Sequence, residues 1–197
     1  FALLLPIVFA VRQLGLPLPT SPLALTALEL VVGQVLVMGG LSVAYLLYTG
    51  RGLDYVPVRR PTLVETLAII AAPFAVIVVS AVVTQLGLLF GVEPSQHALT
   101  GMGDVDPRFY IYMVPLVIFI VGPFEELLYR GVVQSRLRES FGPVVAILLA
   151  SLIFATIHLP AHGFGQAGLA STAVSMIALV GGSIVFGGLY EWTENLT

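Results

Sequence analysis

The chain has 197 residues, 58% of them hydrophobic and only 10% charged, with a formal net charge of −3 and a mean hydropathy of +1.03. A soluble domain carries about 25% charged residues because its surface faces water, so a water-soluble globule is excluded. The small net charge and the lack of a basic stretch also exclude a nucleic-acid partner. Cysteine and lysine are both absent, which removes disulfides and thiolate metal ligands and leaves arginine as the fixed cation.

Crossing a hydrocarbon core takes about 20 apolar residues in a helix, and six stretches are read as spans. The first, Phe1 to about Leu16, starts inside an apolar run with no initiator Met and no charged segment before it. It reads as a shortened span of a longer protein rather than a signal peptide. The next are Leu23–Tyr48, Thr62–Phe90, Phe109–Arg138, Val144–His158 and Gly168–Tyr190, separated by breaks rich in Pro and Gly such as Pro17–Pro22, Gly91–Gly103 and Gly142–Pro143. None shows the alternation of a barrel strand. The expected fold is therefore all-α, a polytopic transmembrane helix bundle forming one domain over residues 1–197.

Short arginine-rich loops stay on the cytoplasmic side. Arg51, Arg59 and Arg60 put the Thr49–Pro61 loop there, and Arg136 and Arg138 put Arg136–Pro143 there; Gly91–Pro107, with Glu93, Asp104 and Asp106, faces outward. Alternation then places His162 outside and Glu191–Thr197 inside, with Arg12 as the one residue against the trend.

The long fourth span contains Gly122-Pro123-Phe124-Glu125-Glu126-Leu127-Leu128-Tyr129-Arg130. Ionisable groups inside an apolar span are functional candidates by default. Glu126 lies ten residues, about 15 Å at helical rise, from Arg136, close to the midplane. Glu126 and Arg130 stand four apart with Glu first, the favourable order for a structural ion pair. That leaves Glu125 on another azimuth as the reactive candidate. Pro123 donates no N–H, so the Phe119 carbonyl loses its helical partner and the helix loosens beside the carboxylates.

The fifth span supplies Phe154-Ala155-Thr156-Ile157-His158. Glu126 and His158 are each 16 residues from Gly142, where the two spans turn into an antiparallel hairpin. Carboxylate and imidazole are therefore expected at one depth, where together they can activate a water. His162, beyond Pro160, reads as an exposed loop residue and only a weak metal ligand; His97 reads as an ordinary residue of the outer loop. Ser135 and Ser151 lack the context of a nucleophile elbow.

Glu125-Glu126-x-x-x-Arg130 followed by Phe154-x-x-x-His158, both inside membrane spans, resembles the CPBP family of intramembrane proteases. That family includes the type II CAAX prenyl endopeptidases and the Abi proteins linked to bacteriocin self-immunity. Gly187-Gly188-Leu189-Tyr190-Glu191-Trp192-Thr193 resembles the segment before the family's last catalytic helix, so the resemblance covers about Tyr112 to Thr197, and the catalytic motifs lie in 112–197. It implies that Glu125 is the general base on a water, that His158 orients and polarises that water, and that Glu126, Arg130 and Phe154 support them. The family's last motif, a His and an Asn or Asp four apart, is absent from this sequence and is expected on a seventh helix after Thr197.

The expected function is thus hydrolysis of a peptide bond within the bilayer, the substrate being a prenylated protein C-terminus or another membrane peptide, in a multi-pass protein of a prokaryotic cell membrane. Two alternatives stay open: a non-catalytic Abi-type protein that protects or scaffolds a partner, and a proton-coupled transporter. A metal-independent site is favoured. A divalent ion such as zinc would draw on Glu125 and His158, with His162 as a weak third ligand.

Overall fold

The computed structural model describes residues 13, 15, 21–97, 100, 103, 107–163 and 166–196. Among them there is no strand, and five helices are long and apolar enough to cross a membrane: α1 (Leu23–Tyr48), α2 (Leu63–Leu89), α3 (Phe109–Arg138), α4 (Pro143–His162) and α5 (Leu169–Thr193). Six were expected. The additional one, Phe1 to Leu16, falls outside the described residues apart from Gln13 and Gly15. The other five agree with the sequence boundaries to within a few residues, because Pro and Gly punctuate both.

The chain divides into two compact units. The described residues of Phe1–Gly52 and Asp106–Leu128 form the first, and those of Leu53–Val105 and Tyr129–Thr197 the second.

In the first unit, Ser21 caps α1 by accepting from the Ala24 N–H at 3.2 Å, and Pro22 occupies the first turn, where no N–H is needed. α1 widens into a π-helical segment over Gly33–Gly39 before resuming as Gly40–Tyr48. The first part of α3 widens in the same way over Val117–Val121, directly before the Gly122–Glu126 turn that contains Pro123. The loosening expected at Pro123 thus takes the form of i→i+5 bonding. Gly39 meets Phe124 so closely that a Cβ there would lie 2.8 Å from the Phe124 ring.

In the second unit, α5 packs against both α2 and α4. Small residues make the approach possible: a Cβ on Gly181 would lie 2.6 Å from Val79 Cγ1, and one on Gly182 3.0 Å from Val76 Cγ1. Lipid supplies no hydrophobic drive between helices, so such close backbone approach is how they associate. α2 begins with a reciprocal capping box in which Thr62 accepts from the Glu65 N–H and Glu65 from the Thr62 N–H. Glu65 also pairs with Arg59, whose guanidinium donates to the Thr193 carbonyl at the far end of α5. Asn195 then clasps the Arg59 backbone through both N–H and C=O. The glutamate beside it holds the Arg59 guanidinium above its ordinary pKa, chiefly through their hydrogen bond.

The large exposed residues of α2 are apolar (Leu67, Ile70, Phe74, Ile77), whereas the most deeply buried large side chains are Arg130, Tyr129 and Gln134. Apolar outside with polar groups within is what a lipid-facing surface requires.

Candidate active site

Glu125 and Glu126 close the Gly122–Glu126 turn of α3, and both are half-buried. In the first unit, Gln34 of α1 donates from Nε2 to Glu125 Oε1 at 3.2 Å. Its signal in the sequence was a lone amide inside the apolar run of α1, which the reading passed over.

The remaining candidates belong to the second unit. A further π-helical segment of α3, Leu127–Gln134, enters this unit at Tyr129, and the chain turns at Gly142 into α4. The expected antiparallel hairpin is present on this stretch. The Tyr129 and Phe154 rings meet edge to face with centroids 5.0 Å apart, and the His158 ring lies 4.3 Å from that of Phe154, tilted by 38°. His158 Nδ1 is 2.8 Å from the Phe154 carbonyl one turn back. A carbonyl can only accept, so Nδ1 donates here, and in the neutral ring the lone pair is on Nε2. That tautomer suits an imidazole that must accept a proton or bind a Lewis acid through Nε2.

Arg130 is 2% exposed. Its Cζ stacks 5.5 Å from the Phe154 centroid and 5.8 Å from that of Phe186, and Nη2 donates to Ser183 O at 3.1 Å and Oγ at 3.2 Å. The same register repeats down the helix pair. Gln134 Nε2 donates to Gly187 O at 3.0 Å, and Arg138 Nε to Glu191 Oε1 at 2.7 Å. The sequence held a trace of this ladder in two trios at four-residue spacing, Arg130/Gln134/Arg138 and Ser183/Gly187/Glu191. Nothing local in the chain, however, says that the two trios meet.

His162 corrects the expectation of an exposed loop residue. Pro160 does end the α-helical part of α4 at His158, but the Leu159–His162 turn is a tight 3₁₀ helix that folds His162 inward. His162 is 9% exposed, with Nδ1 3.3 Å from Ser95 Oγ, and Ser95 in turn donates to Ser175 at 2.9 Å. His97 stacks edge-on against His162 at 5.1 Å, so it too is more than a loop residue. Burial, and next the neighbouring His162 and His158, hold the His97 imidazole below its ordinary pKa. Among the described residues, no group of three or more His, Asp or Glu is gathered as a metal site. His158 Nδ1 and His162 Nδ1 each face a backbone carbonyl, at 2.8 and 3.4 Å, so Nε2 is the nitrogen that either neutral ring would offer a metal.

No curated protein and no solved structure matches the chain. One family does, described as Type II CAAX prenyl endopeptidase Rce1-like, over residues 107–197. That stretch contains Glu125, Glu126, Arg130, Phe154 and His158, and the family is one of proteases. Over residues 107–197, therefore, the chain is similar to the Rce1-like type II CAAX prenyl endopeptidases, and its five long apolar helices agree with a multi-pass membrane protein.

Proposed function

We propose that this protein is an intramembrane endopeptidase in which Glu125 and His158 activate a water against a peptide bond. The observation that carries the reading is His158 itself: inside the stretch matched to a protease family, its Nδ1 donates to the Phe154 carbonyl, so the neutral ring accepts through Nε2. Further support comes from the sequence, in which Glu126 and His158 each stand 16 residues from Gly142.

In this mechanism the water oxygen bonds to the scissile carbonyl carbon as Glu125 takes one of its protons and His158 polarises it. The C–N bond then breaks, and the proton held by Glu125 passes to the departing amine. Glu126 and Arg130 support the two catalytic groups, and Phe154 walls the site. The substrate class is a prenylated protein C-terminus or another membrane peptide. The chemistry needs a matched base and hydrogen-bond reach, so we propose it runs without a metal ion.

The test uses the purified full-length protein in nanodiscs with an internally quenched, farnesylated peptide ending Cys-aliphatic-aliphatic-X. Glu125→Gln and His158→Ala are each expected to lower kcat by about 10²–10⁴-fold with thermal stability retained. Wild-type rates in both variants would remove the mechanism, and a folded wild type that cleaves no membrane peptide would favour the non-catalytic, Abi-type alternative.

A further inference from the structure

α1 lies outside the matched stretch 107–197, yet it brings a polar side chain onto the proposed base. Gln34 is 9% exposed, stands in the π-helical segment Gly33–Gly39, and donates from Nε2 to Glu125 Oε1 at 3.2 Å. An ionised carboxylate only accepts hydrogen bonds, so the amide must turn its nitrogen toward Glu125 and its oxygen away. That oxygen is buried and has no partner among the described residues.

A buried unpaired carbonyl oxygen lowers stability, and an apolar residue of the same shape would avoid the loss. π-helical turns are also uncommon, and they concentrate where a side chain must be aimed for function. Gly39 adds a third departure, since its missing side chain lets the ring of Phe124, the residue before Glu125, close against α1. Three locally unfavourable choices in one short segment converge on one carboxylate, the pattern expected at a functional site.

We infer that Gln34 is a positioning residue for the Glu125 carboxylate. Its Nε2–H occupies Oε1, fixes the carboxylate plane, and directs Oε2 to take the proton of the attacking water. This rests on the reading of Glu125 as the general base. Proton transfer needs the base within hydrogen-bond reach and correctly oriented, and a carboxylate left to rotate loses rate rather than substrate affinity.

The experiment compares wild type, Gln34→Met, Gln34→Asn, Glu125→Gln and the Gln34→Met/Glu125→Gln double variant, all as full chains in nanodiscs. Two readouts are taken. The first is cleavage of the farnesylated peptide. The second is the rate at which dicyclohexylcarbodiimide modifies Glu125, resolved by mass spectrometry against Glu126 beside it. Met keeps the volume of Gln34 and removes the amide; Asn keeps the amide and withdraws it, and serves if the Met variant fails to fold.

Gln34→Met is expected to lower kcat by about tenfold to a hundredfold, the range of one hydrogen bond to a charged group, with KM and Tm held. Glu125 becomes several-fold more reactive because Oε1 is uncovered, while Glu126 does not change. In the Glu125→Gln background, removing Gln34 lowers kcat no further. Unchanged carbodiimide reactivity of Glu125 in either Gln34 variant overturns the inference whatever the activity. A fully active Glu125→Gln instead overturns the general-base reading, and the carbodiimide result still reports whether Gln34 holds the carboxylate.

Discussion

Arg130 shows how a charge is kept in an apolar helix. Its guanidinium is flanked by the Phe154 and Phe186 rings and donates to both oxygens of Ser183, so the charge is met by π-faces and acceptors rather than water. Hydrogen bonds from a charged donor contribute about 1.5–3 kcal/mol each. Arg130→Ala is therefore expected to lower unfolding stability by about 3 kcal/mol, read from the thermal midpoint in detergent. Arg130→Lys should not restore it, since an ammonium lacks the planar fork and stacks poorly. A midpoint unchanged in Arg130→Ala would show that the residue has no structural role. The sequence made Arg130 legible as a buried partner because arginine in an apolar run needs compensation. It named Glu126 as that partner from helical spacing and missed Ser183, which lies 53 residues away in the chain. His162 was misread for the converse reason: Pro160 signals the end of a helix but not the direction in which the next turn folds.

At the scale of elements, the spans were legible because length, apolarity and Pro/Gly punctuation are all local. The π-helical segments were not. Pro123 announces a lost hydrogen bond, but whether the helix kinks, breaks or widens depends on what packs beside it. Helix contacts through small residues were equally silent, since a Gly in a membrane span is common whether or not it touches a neighbour. A Cβ at Gly187 would lie 2.9 Å from Gln134 Oε1 and 3.0 Å from Ile147, so Gly187→Leu is expected to separate α5 from α3 and α4 and to lower the thermal midpoint sharply. Gly188→Leu, where nothing stands within 4 Å, should leave it nearly unchanged. Equal effects at the two positions would refute the packing argument. The α2 cap gives a smaller test: Thr62→Ala removes the side chain that accepts from the Glu65 N–H and should cost about 1 kcal/mol.

For the molecule as a whole, alternation of loops along the chain was the most informative reading. It assigned Thr49–Pro61, Arg136–Pro143 and Glu191–Thr197 to one side, and within the second unit hydrogen bonds join these segments in pairs: Arg59 with Asn195, Arg138 with Glu191 and Tyr55 with Glu139. The opposite end holds Ser95, His97, His162 and Ser175. There His97, with its pKa held below the ordinary value in the folded protein, makes stability depend on pH. The unfolded chain binds a proton at His97 more readily than the folded one, so stability is complete above the ordinary imidazole range and falls as pH drops through it. Glu93, in the same segment, is the carboxylate nearest in sequence, and His162 and His158 are the other titratable groups named at this end. The thermal midpoint should therefore fall between pH 7.5 and 5.5 (about one unit either side of a model imidazole), and His97→Asn should lessen the fall. An identical pH dependence in the variant would assign the effect elsewhere. Treating the purified wild type with a strong chelator, then assaying cleavage and metal content, tests the proposed metal independence; chelator-sensitive activity restored by zinc would overturn it.

The three rungs between α3 and α5, Arg130–Ser183, Gln134–Gly187 and Arg138–Glu191, have one further effect. Two parallel rods bathed in hydrocarbon gain no hydrophobic drive toward one lengthwise alignment, because apolar surface that leaves the contact is met by lipid of the same character. Friction of the ordinary kind is missing, so axial alignment must come from notches. Four-residue spacing on both rods provides them, and a shift by a single residue would unseat all three together. The outermost notch is a partly exposed ion pair and the innermost is the buried guanidinium. The depth of Arg130 is therefore gauged from the surface, much as a depth stop fixes how far a drill enters, and one residue inserted between Ser183 and Glu191 would reset that gauge.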